Sequence, residues 1–151
     1  MTIRAAQAPD APAIKEVVER AYAKYVERIG RRPGPMDDDY PALVAAGEVF
    51  VAVQQAIVGV LVLRRQPDHL LVENVAVDPA FQGQGYGRML LDFAEDQARA
   101  WGVDELRLYT HQLMVENVRL YHRLGWQQTG RRTEHGFARI YFSKNLTAPG
   151  A

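Results

Sequence analysis

The chain contains no cysteine. Disulfides, thiolate metal sites and a cysteine nucleophile are therefore excluded. Serine is nearly absent as well: Ser143 is the only one. It falls near the end of the last expected strand, outside any G-x-S-x-G setting. A covalent acyl-enzyme route thus has no credible nucleophile. An excess of one charge is also missing, because 18 basic residues balance 18 acidic ones. Such a balance points to neither a nucleic acid nor an anionic membrane as partner. Long hydrophobic runs are lacking too. The stretch "AIVGVLVL" (Ala56 to Leu63) is far too short to span a bilayer, and the first dozen residues hold no signal-like apolar segment. The expectation is a cytoplasmic protein without a membrane segment. Four histidines (His69, His111, His122, His135) show no ligand spacing, so no metal site is expected.

What is present reads as one α+β domain over residues 1–146, with "TAPGA" (147–151) as a short tail. A length of 151 residues buries roughly 70% of the unfolded surface in a single core. "TIRAA" is a candidate strand. From Pro9 a helical pattern carries Ala13, Val17, Val18, Ala21, Tyr22 and Tyr25 on one face. "GRRPGPMDDD" is a breaker-rich loop, and "YPALVAAG" is a short helix closed by Gly47. "EVFVAVQ", "AIVGVLVLRR" and "LLVENVAV" are successive strands. The first two sit so close around Gln54 and Gln55 that only antiparallel pairing fits. A helix from about Gly87 to Trp101 follows, with Leu90, Phe93, Ala94, Ala98 and Trp101 as its buried stripe. "ELRLYT" is a strand and residues 113–124 a helix stopped by Gly125. Two last strands part near His135 and Gly136.

One segment stands apart. "FQGQGYGRMLL" (Phe81 to Leu91) sets Gly83, Gly85 and Gly87 at alternate positions directly before a helix. A helix N-terminus presents unpaired N–H groups and partial positive charge, and glycines let an anion approach the backbone closely. A dinucleotide fingerprint would need glycine where Arg88 stands, and a P-loop would need Lys followed by Ser or Thr. Neither fits. Q-x-x-G-x-G does fit, as Gln82, Gly85 and Gly87, preceded by "VENVAVDPA". This combination resembles the signature of the GCN5-related N-acetyltransferase (GNAT) superfamily. The competing reading is a turn that merely tightens a strand–helix junction.

"MVENVRLYHRLGW" (Met114 to Trp126) extends the likeness. In the family a Tyr on this helix lies near the cofactor sulfur and is followed by Gly and an aromatic. Tyr121, Gly125 and Trp126 match, with Trp where Phe is commoner. On a helix, Asn117 and Tyr121 share a face with Leu113, Leu120 and Leu124, opposite Glu116, Arg119, His122 and Arg123. Taken alone, Tyr121 also reads as a core residue. The family's Asn seven residues before the Tyr is Met114 here, and Asn117 is the nearest amide.

The resemblance implies a mixed, mostly antiparallel sheet of six to seven strands flanked by about four helices. It implies acetyl-CoA as co-substrate, no metal, and transfer to a primary amine by direct attack in a ternary complex. The pyrophosphate would lie on Gln82, Gly83, Gln84, Gly85, Tyr86, Gly87 and Arg88. The pantetheine would pair with Val75, Ala76 and Val77, and Asn117 would add a cofactor contact. Tyr121, a phenol with an ordinary pKa near 10, would protonate the departing thiolate.

Direct attack needs a base, because an ammonium has no lone pair. Glu73 sits in an apolar strand where a carboxylate is costly unless paired or used. It is either that base or the salt-bridge partner of Arg64 or Arg107. The E-D-x-A-V arrangement of some family members is the nearest echo, with Asn74 replacing the second acid. Tyr109, His111 and Glu134 are further base candidates. The acceptor pocket is expected around Tyr22, Tyr25, Arg31, Arg32, Asp37 to Asp39 and the stretch Arg131 to His135. The three aspartates equally serve as N-terminal charges of the helix after them. The acceptor is a small-molecule or peptide amine, and a homodimer is compatible with the pattern. The alternative function is a non-catalytic acyl-CoA-binding module that regulates a partner.

Overall fold

A computed structural model describes residues 2–146; the expected tail, 147–151, lies outside the described residues. Among the described residues seven strands and four α-helices follow one another in the order β1 (Thr2–Ala5), α1 (Ala11–Ile29), α2 (Tyr40–Ala45), β2 (Val49–Gln54), β3 (Ala56–Arg65), β4 (Leu70–Val77), α3 (Tyr86–Ala100), β5 (Glu105–His111), α4 (Val115–Arg123), β6 (Gln127–Glu134) and β7 (Phe137–Asn145). The strand order is β1-β2-β3-β4-β5-β7-β6. β1–β2, β2–β3, β5–β7 and β6–β7 are antiparallel, while β4 and β5 are parallel. The expected α+β architecture is therefore the observed one. The chain divides into two compact units, residues 2–63 with 74–94 and residues 64–73 with 95–146.

In the first unit, α1 buries Ala11, Ile14, Val17, Val18, Ala21, Tyr22 and Tyr25, an apolar stripe at helical spacing. Ala11 and Ile14, rather than the expected Ala13, open this stripe, because Ala13 lies a third of a turn aside and is half-buried. Gly30, at φ 87°, ends the helix in the left-handed conformation, and its N–H bonds Val26 O. Asp39 caps α2 by accepting from the Ala42 N–H, so this acid does serve as an N-terminal helix residue. Gln55 makes the tight β2–β3 turn at φ 67°. Gly59 in β3 is a close-approach glycine. A Cβ there would lie 3.0 Å from Leu90 Cδ1 and 3.3 Å from Ala52 Cβ, so even an alanine would make the Leu90 side chain shift by a few tenths of an ångström. Leu90, Leu91 and Ala94 of α3 are buried. Each leucine contributes about 2 kcal/mol by leaving water.

In the second unit, β5 and β7 pair along their whole length from Glu105↔Asn145 to His111↔Arg139. His135 and Gly136, at φ 51° and 80°, form the hairpin turn between β6 and β7. Lys144 ties the unit together, donating to Glu95 Oε2 at 2.8 Å and to Leu124 O at 3.2 Å. Arg65 stacks on Trp101, its guanidinium carbon 5.1 Å from the ring centroid. Trp101 lies just after α3 and is half-buried. α4 is shorter than the expected 113–124. Met114 is its N-cap and is buried, whereas Leu113 precedes the helix and is exposed. The break follows from backbone angles of −84° and 63° at Met114, which lie outside the helical region.

Candidate active site

The first unit builds the glycine segment from a clamp on the end of β4. Asp78 N–H bonds Val58 O at 2.8 Å. The Asp78 carboxylate receives Arg20 Nη2 at 2.6 Å and the Ala80 N–H at 3.0 Å. These contacts fix where the chain leaves β4. The Gln82 side-chain amide reaches back to Val77 O at 3.1 Å, so Gln82 holds the loop through its side chain. Tyr86 is buried, its ring edge-on to Phe81 at 6.1 Å. Arg88 is exposed on the first turn of α3.

Gly83 and Gly85 adopt φ 80° and 87°, a region that side-chain-bearing residues rarely enter. Gly87 lies inside α3, which begins at Tyr86, one residue before the expected start. The bond from Met89 N–H to Gly85 O closes the first helical turn. The amides of Tyr86, Gly87 and Arg88 thus belong to the turn for which a helix supplies no carbonyl. A Cβ built on Gly83 or Gly85 meets no atom within 4 Å. The cradle is open space bordered by backbone donors, which suits a diphosphate.

In the same unit, Asn74 is buried at 3% exposure and joined to two tyrosines. Tyr22 donates to Asn74 Oδ1 at 2.6 Å, and Asn74 Nδ2 donates to Tyr40 Oη at 3.1 Å. Tyr40 in turn donates to Pro35 O. A second acid at position 74 would be a buried charge, and the amide instead satisfies two phenols. Tyr22 and Tyr25, expected near the acceptor, are core residues of α1. Arg32 is held by Glu19 at 2.7 Å and Asp37 at 2.9 Å.

The second unit carries the candidates for chemistry. Tyr121 is buried at 4% exposure, with Phe142 at 5.5 Å and Trp126 at 6.0 Å between ring centroids. Asn117 is half-buried, and its amide lies 3.7 Å from Met114 Sδ. Glu73 is paired with Arg64, whose Nη1 stands 3.3 Å from both carboxylate oxygens. Arg107 instead pairs with Glu105 at 2.7 Å. The β4–β5 ladder consists of Leu70↔Leu106 and Leu71↔Arg107, so Glu73 continues β4 past this paired stretch.

His111 is buried, and its Nδ1 accepts the Leu113 N–H at 3.0 Å. Burial, and secondarily the Arg139 charge, lower its pKa below the ordinary 6.5. The neutral ring therefore keeps its proton on Nε2 and has no free lone pair to act as a base. A groove of about 340 Å³ beside α4, lined in part by Val115, Val118 and Arg131, includes neither Tyr121 nor Glu73. Among the described residues no His/Cys/Asp/Glu group could hold a metal, and no helix is long and apolar enough to cross a membrane.

Residues 13–126 match the profile of the Acetyltransferase (GNAT) family. The chain belongs to the GNAT family. Over 75 residues it is 35% identical to a [ribosomal protein bS18]-alanine N-acetyltransferase of Haemophilus ducreyi, covering 50% of this chain and 52% of that relative. Over 62 residues it is 42% identical to N-alpha-acetyltransferase 80 of Mus musculus, covering 41% of this chain but 18% of that protein. The matches thus span about half or less of these relatives' own lengths. Among solved structures, the PaiA N-acetyltransferase of Thermoplasma acidophilum in complex with coenzyme A superposes with a TM-score of 0.77 at 18% identity, covering 95% of this chain and 98% of that one. The ribosomal-protein-S18-alanine N-acetyltransferase of Escherichia coli gives 0.76 at 24% identity, covering 96% and 93%. At these identities the superpositions establish the GNAT fold.

Two features of this GNAT chain escaped sequence reasoning. Arg20 holds Asp78 from 58 positions away, which no local pattern announces. The second is a sheet face bearing Tyr109, Tyr141 and Arg139. Its signal was legible as the alternation Phe137, Arg139, Tyr141 in "FARIYF".

Proposed function

We propose that this GNAT chain transfers the acetyl group of acetyl-CoA to a primary amine by direct attack, with both substrates bound together. The observation that carries the reading is the pair of left-handed glycines, Gly83 and Gly85, set directly before the first turn of α3. The cradle fits a diphosphate because its donors are backbone amides and no side chain fills its floor. The proposed cofactor contacts are the backbone of Gln82, Gly83, Gln84, Gly85, Tyr86, Gly87 and Arg88, with Val75, Ala76 and Val77 of β4 for the pantetheine. Pairing at Val77 O shares or displaces the Gln82 amide that now occupies it. Asn117 is proposed as an additional contact.

When bound, acetyl-CoA supplies a thioester carbonyl activated for attack. Glu73 is the proposed base, and Arg64 fixes the position of its carboxylate. It takes a proton from the acceptor ammonium, directly or through a water, and frees the lone pair. As the new C–N bond replaces the C–S bond, the Tyr121 hydroxyl gives its proton to the departing sulfur, and the second proton lost by the nitrogen passes through water to restore the phenol. Neither a covalent enzyme intermediate nor a metal is required by these steps.

A thiol-release assay over a panel of primary amines tests the reading. Release that depends on an amine supports it. Coenzyme A binding without transfer to any amine points instead to a regulatory acyl-CoA-binding module. The chemistry is proposed for a protein in the cytoplasm, acting on a small-molecule or peptide amine.

A further inference from the structure

The second unit has one sheet face on which cations and aromatics gather. Register fixes its members. Tyr109 opposes Tyr141, and His111 opposes Arg139, which in turn opposes Arg132 on β6. Paired residues in a ladder point to the same side, so these five side chains share a face. Leu71 opposes Arg107, and a two-residue step from each leads to Glu73 and Tyr109. Glu73, the proposed base, therefore lies on that same face, within the same unit.

The contacts show an unusual concentration of guanidinium. Arg139 lies 4.5 Å from the Tyr109 centroid, and Arg132 lies 5.3 Å from the Tyr141 centroid. The two tyrosine rings are 5.5 Å apart. Gly130 stands opposite Tyr141 on β6, so the β6 cover over that ring comes from the diagonal Arg132. Two like charges directly opposed across a ladder repel each other. Besides Glu73, which Arg64 holds, Glu134 faces them, its Oε1 in a long ion pair with Arg139 Nη1 at 3.9 Å, beyond hydrogen-bond range. His111 is held neutral by burial and by Arg139. Among the described residues neither Arg132 nor Arg139 donates a hydrogen bond. Stacking orients both guanidiniums and leaves their N–H edges for a planar anion.

We infer that the acceptor is a peptide amine followed within a few residues by a carboxylate, which Arg139 and Arg132 bind while the peptide body lies over Tyr109 and Tyr141. This rests on the acetyl-transfer reading above. A peptide suits the span. Two strand spacings and a two-residue offset put Arg139 at least about 12 Å from Glu73 between Cα positions, since the β4–β5 ladder ends at Leu71. Extended chain covers that distance in about three to four residues.

The test compares three peptides, Ala-Gly-Glu-Glu-NH2, Ala-Gly-Gln-Gln-NH2 and Ala-Gly-Lys-Lys-NH2, by kcat/KM for thiol release. The wild type is expected to favour the glutamate peptide over the lysine peptide by at least tenfold, mainly through KM. In Arg132→Gln/Arg139→Gln the ratio should fall below threefold. In Arg132→Glu/Arg139→Glu it should invert. Coenzyme A affinity and circular dichroism report whether each variant is folded. A wild type that treats the peptides alike or prefers lysine overturns the inference and leaves the acetyl-transfer reading intact. So does a glutamate preference that survives charge removal. Failure of transfer to every amine sinks the acetyl-transfer reading instead. Calorimetric binding of the same peptides then decides the inference: tighter glutamate binding, lost in the Glu variant, sustains it, and equal binding overturns it.

Discussion

The two units solve different problems with different materials. The first is helix-covered and holds its polar groups inward, as with the Tyr22–Asn74–Tyr40 network and the Arg20–Asp78 clamp. Its proposed ligand contacts are backbone. The second ends in β6, an edge strand on which seven of eight residues are exposed, and its proposed contacts are side chains. Backbone donors suit a ligand part that never varies, because glycine conformation fixes them and no single side chain can retune them. Exposed side chains on an edge strand suit a partner that differs between enzymes. On the proposed reading, most cofactor contacts fall to the first unit, and chemistry with acceptor choice falls to the second.

The largest expected effect separates these assignments most sharply. Tyr121→Phe should lower kcat about 100-fold, within the usual range for loss of a general acid. Coenzyme A affinity should stay within threefold. A loss of affinity that matches the loss of turnover would move Tyr121 from chemistry to binding. The second prediction concerns how firmly each unit is held. Asn74→Ala removes hydrogen bonds to two phenols and should destabilise by about 2 kcal/mol in urea denaturation. Arg132→Gln, which loses one exposed cation–π contact, should cost about 0.5 kcal/mol. Equal costs would erase the contrast between a polar interior and an open face. Third, a Cβ at Gly85 meets no atom of the chain within 4 Å, so Gly85→Val acts through backbone strain at φ 87° and by putting a side chain into the cradle. Coenzyme A binding by calorimetry should weaken more than tenfold, while kcat at saturating cofactor changes little. A normal affinity would show that the left-handed turn is not what holds the diphosphate.

The two units were also unequally legible in the sequence. Most of the first could be read locally. Periodicity placed α1, glycines marked the loop and the end of α1, and Asp39 announced a cap. Its hidden part is Asn74, whose partners lie 52 and 34 positions away. The second unit yielded its strands but not the use of its faces. Glu73 left two readings open because the pairing of Arg64 depends on the β3–β4 register. Leu113 was expected on a buried helix face, yet the helix begins two residues later. A single backbone angle at Met114 made that difference, and no composition rule sets it. The cationic face required β5, β6 and β7 to be aligned first. Only then do Arg132, Arg139 and His111 become neighbours.

The smallest expected effect concerns His111 and pH. Its folded-state pKa is lowered from 6.5, chiefly by burial and then by Arg139. The unfolded chain therefore binds the proton more readily, and stability rises with pH between the folded value and about 6.5. Above about 6.5 the full stability is present. As pH falls below that, stability is lost until the folded ring also titrates. The Leu113 N–H also occupies the Nδ1 lone pair to which a second proton would add. Urea midpoints for the wild type should drift downward on acidification through this window. In His111→Gln, whose side-chain oxygen can still accept from Leu113, the same stretch should be flatter. Arg139→Gln removes only the second cause and should give an intermediate slope. A wild-type profile as flat as the His111→Gln profile would mean that the face around Arg139 is more open to water than its burial indicates. It would then resemble β6 rather than the interior of the first unit.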